Sequence, residues 1–132
     1  QPQGQELWAN YLPITEGRRR SVTPGDKLPL NLVEFSFIAS HRSLINSLEP
    51  RLPNELCQNA VAPPSDQGEN GHSLGYLLSL GAFQFLNMGD LTPDREYNLA
   101  CPQNRLGTVD LYQAPHHGGY GDGTDNHHGG RR

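Results

Sequence analysis

The sequence predicts a mixed α/β fold, rich in loops, with a mostly antiparallel or mixed sheet and a short helix. Three observations predict it. "LNLVEFSFIAS" over 30–40 alternates as a strand does. "SLGYLLSLGAFQFLNMGD" over 73–90 holds two apolar runs around Gly81. "LTPDREYNLACP" opens with helix-start signals and leads, through "NRLGTVDLYQAP", into another apolar run.

The first 27 residues hold few periodic apolar positions and two turn signals, Glu16-Gly17 and Pro24-Gly25-Asp26. In the second, Pro sets φ and Gly admits positive φ. Over 30–40, Val33, Phe35, Phe37 and Ala39 fall on one face and Leu32, Glu34, Ser36 and Ile38 on the other. The first set is uniformly apolar, which predicts a half-buried strand. Residues 41–72 read as a long irregular excursion with several Pro, Asn and Gln. A stretch of this kind is uncommon in a compact domain unless it is functional or disordered.

The two runs over 73–80 and 82–88 predict a hairpin turning at Gly81, buried on both faces and the most buried part of the chain. Thr92 suits a helix N-cap and Pro93 the first helical position, while Asp94 and Glu96 suit the positive end of the helix dipole. A helix over 93–100 follows, ended by Pro102. Gly107 then turns into a buried strand over 108–114. Beyond His117 the sequence "GGYGDGTDNHHGGRR" has no apolar period and reads as a flexible tail.

Composition bounds the rest. Of 132 residues, 34% are hydrophobic, 15 are Gly and 11 are Pro, so three short apolar blocks must supply a thin core. That leaves room for association through incomplete sheet edges. Net charge is −4, and the one basic cluster, Arg18-Arg19-Arg20, reads as a solvated turn, so nucleic acid is not indicated. No apolar run approaches the ~20 residues that span a bilayer, which argues against a membrane role. The start "QPQGQELW", without Met or a signal peptide, reads as a processed or truncated N-terminus. Cys57 and Cys101 lie 44 positions apart with no zinc-finger spacing. A disulfide would suit an exported chain. Two part-buried free thiols are the alternative.

Two strand ends carry candidate chemistry. "LNMGDLT" delivers Asp90, and "YQAPHHGG" delivers His116 and His117. Carboxylate and imidazole are common ligands of zinc and its neighbours. A glycine beside each lets a loop pass close to an ion. The plain alternatives are a turn or cap role for Asp90 and a polar loop for the histidines. In the tail, "GGYGDGTDN" approaches a glycine-rich calcium nonapeptide with its Asp one position early, and His127-His128 could take up nickel or zinc adventitiously.

The stretch from "ENGHS" through "LNMGD" to "APHHGG" resembles the second half of metallo-β-lactamase-fold hydrolases, in the branch near the DNA-uptake competence nucleases. Asn70 with Ser73, Gly89-Asp90 and His116-His117-Gly118 carry the resemblance, and "PGDKLPL" over 24–30 looks like the family's lead-in to an earlier strand. It divides the chain into an extension (1–17), a partial metallo-β-lactamase-like domain (18–119) and a Gly/His-rich tail (120–132). It implies part of an αββα sandwich and a zinc site of up to two ions acting on a phosphodiester or other ester. Asp90 would match a metal-bridging carboxylate and His117 the last histidine ligand, with His116 the lesser match. The other histidine, and Asn70, would act from behind the ligands.

The departures are plain in the residues. The family's H-x-H-x-D-H motif is absent, His41 is the only histidine before residue 72, and His72 is a poor stand-in for the family's middle histidine. The strand and helix that follow the HHG segment are missing too. The expectation is a portion of a metal-dependent hydrolase, catalytically incomplete as this chain alone. The alternative is a non-catalytic structural or binding module derived from the same fold.

Overall fold

The computed structural model describes residues 2–46, 48 and 52–118. It is a mixed α/β structure, as the periodicity predicts. Among the described residues, two α-helices, α1 (Pro2–Thr15) and α2 (Pro93–Ala100), accompany eight short strands. The strands are β1 (Lys27–Leu28), β2 (Glu34–Ser40), β3 (Ser43–Leu44), β4 (Leu52–Pro53), β5 (Gly75–Leu80), β6 (Phe83–Asn87), β7 (Gln103–Asn104) and β8 (Leu111–Gln113). The main sheet runs β1-β2-β5-β6-β8, with β3 also paired to β2; β4 and β7 form a separate small ladder. All pairings are antiparallel except β6 with β8, which is parallel.

α1 corrects the reading of the first residues as lacking periodic structure. Leu7, Trp8, Tyr11 and Ile14 recur at helical spacing, and Trp8 stacks on Tyr11 at 5.4 Å between ring centroids. The Thr15 hydroxyl donates to the Tyr11 carbonyl, and Gly17, at φ 70°, turns the chain out of the helix. All four apolar side chains remain exposed.

The strand expected over 30–40 forms over Glu34–Ser40, and its burial is not one-sided. Ser36, Phe37, Ile38, Ala39 and Ser40 are all buried. The pairing with β5 slips between Phe37 and Ala39, so Ile38 is an inserted residue of a β-bulge. The 22–26 turn continues the β1–β2 pairing along the edge of β2. Gly25 N–H donates to the Phe37 carbonyl, Phe37 N–H to the Asp26 carbonyl, and the Ser40 hydroxyl to the Val22 carbonyl. Opposite the bulge stands Gly75. A Cβ there would lie 3.0 Å from the Ala39 Cβ and 3.2 Å from the Ile38 Cγ1.

The hairpin turns at Gly81, φ 59°, between β5 and β6. Its burial departs from the expectation. Leu77 and Leu86 face the core, while Leu78 and Phe85 are half-buried and Leu80 and Phe83, at the tip, are exposed. Phe35, Tyr76 and Phe85 instead form an aromatic row across the outer face. The alternation was hidden because both faces are apolar in sequence. The most buried strand is β2.

α2 spans the eight residues expected, with Thr92 extended in front of it and Pro93 first. The Thr92 hydroxyl does not cap the helix; it donates to Asp94 Oδ1 at 2.5 Å, and Asp94 is buried. Leu99 and Leu91 join Ile38, Ile45, Leu77, Leu86 and Met88 in the core. Cys101, at the end of α2, is disulfide-bonded to Cys57, with Cα atoms 5.7 Å apart. Asn54 adds hydrogen bonds to the carbonyls of Ala100 and Pro102. The described residues from Leu52 to His72 are therefore tied down at Asn54 and Cys57 rather than free. The buried strand expected over 108–114 is a correction too. β8 has three residues, all exposed, because it is the last strand of the sheet. The tail expected over 120–132 lies outside the described residues. No helix among the described residues is long and apolar enough to cross a membrane.

Candidate metal centre

The parallel pairing of β6 and β8 builds the site. Asn87 stands opposite Gln113, so both strands end at the same edge of the sheet. Three residues beyond each lie Asp90 and His116. Equal steps from paired positions bring the two loops together. Ligand sites at the carboxyl ends of parallel strands follow from this geometry. Side chains reinforce the register. Asn87 Nδ2 donates to Gln113 Oε1 at 2.7 Å, Asn87 Oδ1 accepts from Gly89 N–H, and His116 N–H donates to the Gly89 carbonyl at 3.1 Å.

The result is a convergence of two of the expected residues. His117 Nε2 lies 3.8 Å from Asp90 Oδ1. His117 is exposed and Asp90 half-exposed, so the pair opens to solvent. His116 is set differently. It is half-buried, its Nε2 lies 3.4 Å from Asn70 Nδ2, and its Nδ1 is buried without a hydrogen-bond partner. Asn70 reaches it because β5 runs antiparallel to β6, so the Glu69–His72 turn before β5 lies at the same sheet edge.

The backbone here is strained. His116, His117 and Gly118 have φ of 48°, 59° and 72° in succession. A non-glycine residue in this region costs roughly 1–2 kcal/mol. Two such histidines in a row, held by the hydrogen bond to Gly89, turn their rings toward separate neighbours. Their centroids are 6.3 Å apart. Gly89 is itself at φ 57°, and a Cβ would sit 3.2 Å from the Leu74 carbonyl oxygen. Gly89→Ala is expected to cost about 1–2 kcal/mol and displace Asp90. Thermal melting checks the first, and the ring chemical shifts of His117 check the second.

One residue that sequence reasoning missed organises this edge. Arg42 and His41 form the β2–β3 turn, both with positive φ. The Arg42 guanidinium donates to the carbonyls of Asp66, Gln67 and Gly68, and its Nε donates to His72 Nε2 at 2.8 Å. Arg95 in turn donates to the Arg42 carbonyl. One arginine thus fixes the loop that carries Asn70 and His72. No local spacing signals it, since its partners lie 24 to 30 residues away. His41 and His72 approach each other with ring centroids 6.4 Å apart.

Two donors bound to one tetrahedral ion at ~2.0–2.2 Å lie roughly 3.3–3.6 Å apart, so the 3.8 Å between Asp90 and His117 would close only slightly around a shared ion. The number of ligands does not fit. Among the described residues, no group of three His, Cys, Asp or Glu side chains is placed to hold a metal. The pair fits zinc as two ligands, short of the three protein ligands of a catalytic site. No family model, no curated protein and no solved structure matches this chain.

Proposed function

We propose that the chain supplies part of a metal-dependent hydrolase site of the metallo-β-lactamase type, acting on a phosphodiester or other ester. One observation carries the reading: a carboxylate and an imidazole from the ends of paired parallel strands stand 3.8 Å apart. Asp90 and His117 would hold the ion, and Asn70 and His116 would stand behind them. A metal bound there would polarise an ester oxygen and activate water. Arg42 keeps the Asn70 loop in place. The Cys57–Cys101 disulfide supports an exported setting.

The incomplete ligand set favours a second reading, a non-catalytic module of the same derivation. For it the Asp90–His117 contact is an exposed polar contact with little effect on stability. An assay of phosphodiester hydrolysis with added zinc separates the cases. We expect turnover near background for this chain alone. Robust zinc-dependent turnover lost in Asp90→Ala would contradict that, and would mean that His41 or His72 completes the site. The hydrolase reading itself falls if zinc leaves both Asp90 and His117 unaffected.

A further inference from the structure

A second feature lies apart from the metal centre. Between α2, the 104–109 loop and the sheet is a cavity of about 330 Å³. Leu86, Leu99, Leu106 and Val109 line it, with Glu96 and Tyr112 also on its wall. Asp90, His116 and His117 take no part in it. The cavity is open to solvent on one side, where Tyr112 is exposed. An apolar cavity of ~150 Å³ already admits benzene. This one has room for a small ring with a substituent.

Its polar part is one-sided. Among the described residues that line it, Glu96 is the one charged side chain. The Tyr112 hydroxyl donates to Glu96 Oε1 at 2.6 Å, which orients the carboxylate and leaves its second oxygen to offer. Pocket walls that are mostly apolar, with a few placed polar groups, are the usual form of small-molecule sites. A half-buried carboxylate whose described lining neighbours are all uncharged favours a cation.

We propose that this cavity is a binding site for a small apolar amine, its hydrocarbon body among Leu86, Leu99, Leu106 and Val109 and its ammonium against Glu96. Burial raises the Glu96 carboxyl above its usual range, opposed by the Tyr112 hydrogen bond, so the anion lacks compensation that an ammonium would supply. The proposal does not rest on the metal-site reading.

Calorimetry on the full chain near neutral pH tests it, with benzylamine, benzyl alcohol and benzoate as probes. A charged hydrogen bond predicts benzylamine binding at least about tenfold more tightly than benzyl alcohol, and benzoate weakest. Glu96→Gln is expected to erase the preference for the amine while benzyl alcohol still binds. Ala100→Leu, which fills the cavity, is expected to weaken both. Should the Glu96 variant not fold, contacts from benzylamine protons to the Leu99 and Val109 methyls decide in the native protein. Equal binding of amine and alcohol, an amine preference that survives Glu96→Gln, no binding by any probe at millimolar concentration, or no contact with those methyls would each overturn it.

Discussion

Removing the disulfide with Cys57→Ala and Cys101→Ala is expected to lower stability by about 4 kcal/mol on loop entropy. The bond closes a loop across 44 positions, and it ties the excursion before β5 to the end of α2. The loop entropy is large because the bond closes a long loop in the unfolded chain. Beside the bond, Asn54 makes hydrogen bonds to the carbonyls of Ala100 and Pro102, and these lose their alignment when the tether goes. Urea denaturation of the double variant against the oxidised protein checks it. A loss below about 1 kcal/mol would mean that the excursion is held by other contacts. Arg42, with three carbonyls in its grip, would be the first of those to consider.

Ile38→Ala is expected to cost about 2–5 kcal/mol, the range for truncating a buried branched side chain. Ile38 is the inserted residue of the β2 bulge and has no exposed surface. The core has few members, so a vacated methyl group finds little to collapse onto it. Gly75 faces the same spot and offers no side chain to fill the gap. The midpoint of urea unfolding should fall with the slope unchanged. An unaltered midpoint would place the core elsewhere.

How much of this was legible depends on the range over which each signal acts. α2 was readable to the residue because Thr92, Pro93 and Pro102 are local punctuation. The Gly81 turn was readable for the same reason. α1 was not, because its Gln, Gly and Pro content obscured the spacing of Leu7, Trp8, Tyr11 and Ile14. β8 was read as buried because its residues are apolar; only the sheet order makes it an edge. The expectation that Asp90 and His117 share one locality came from the resemblance, which matches both to ligands of one metal site. What brings them together, the pairing of Asn87 with Gln113, is a long-range register that no spacing states. Arg42 was invisible for a related reason. It works on backbone carbonyls, which every residue has. The disulfide was left open because two cysteines 44 apart are compatible with a bond or with two thiols.

Asp90 and His117 are proposed to hold one metal ion together. Histidine-ring nitrogen NMR of the full chain, titrated with zinc, tests it most directly because each ring reports separately from His127 and His128. The account predicts that His117 Nε2 moves to a metal-bound shift, and that Asp90→Ala weakens this response by roughly 10–100-fold or more, since even partners behind the ligands are worth that much. A His117 ring that ignores zinc while other histidines respond, or one that responds equally in Asp90→Ala, would contradict it.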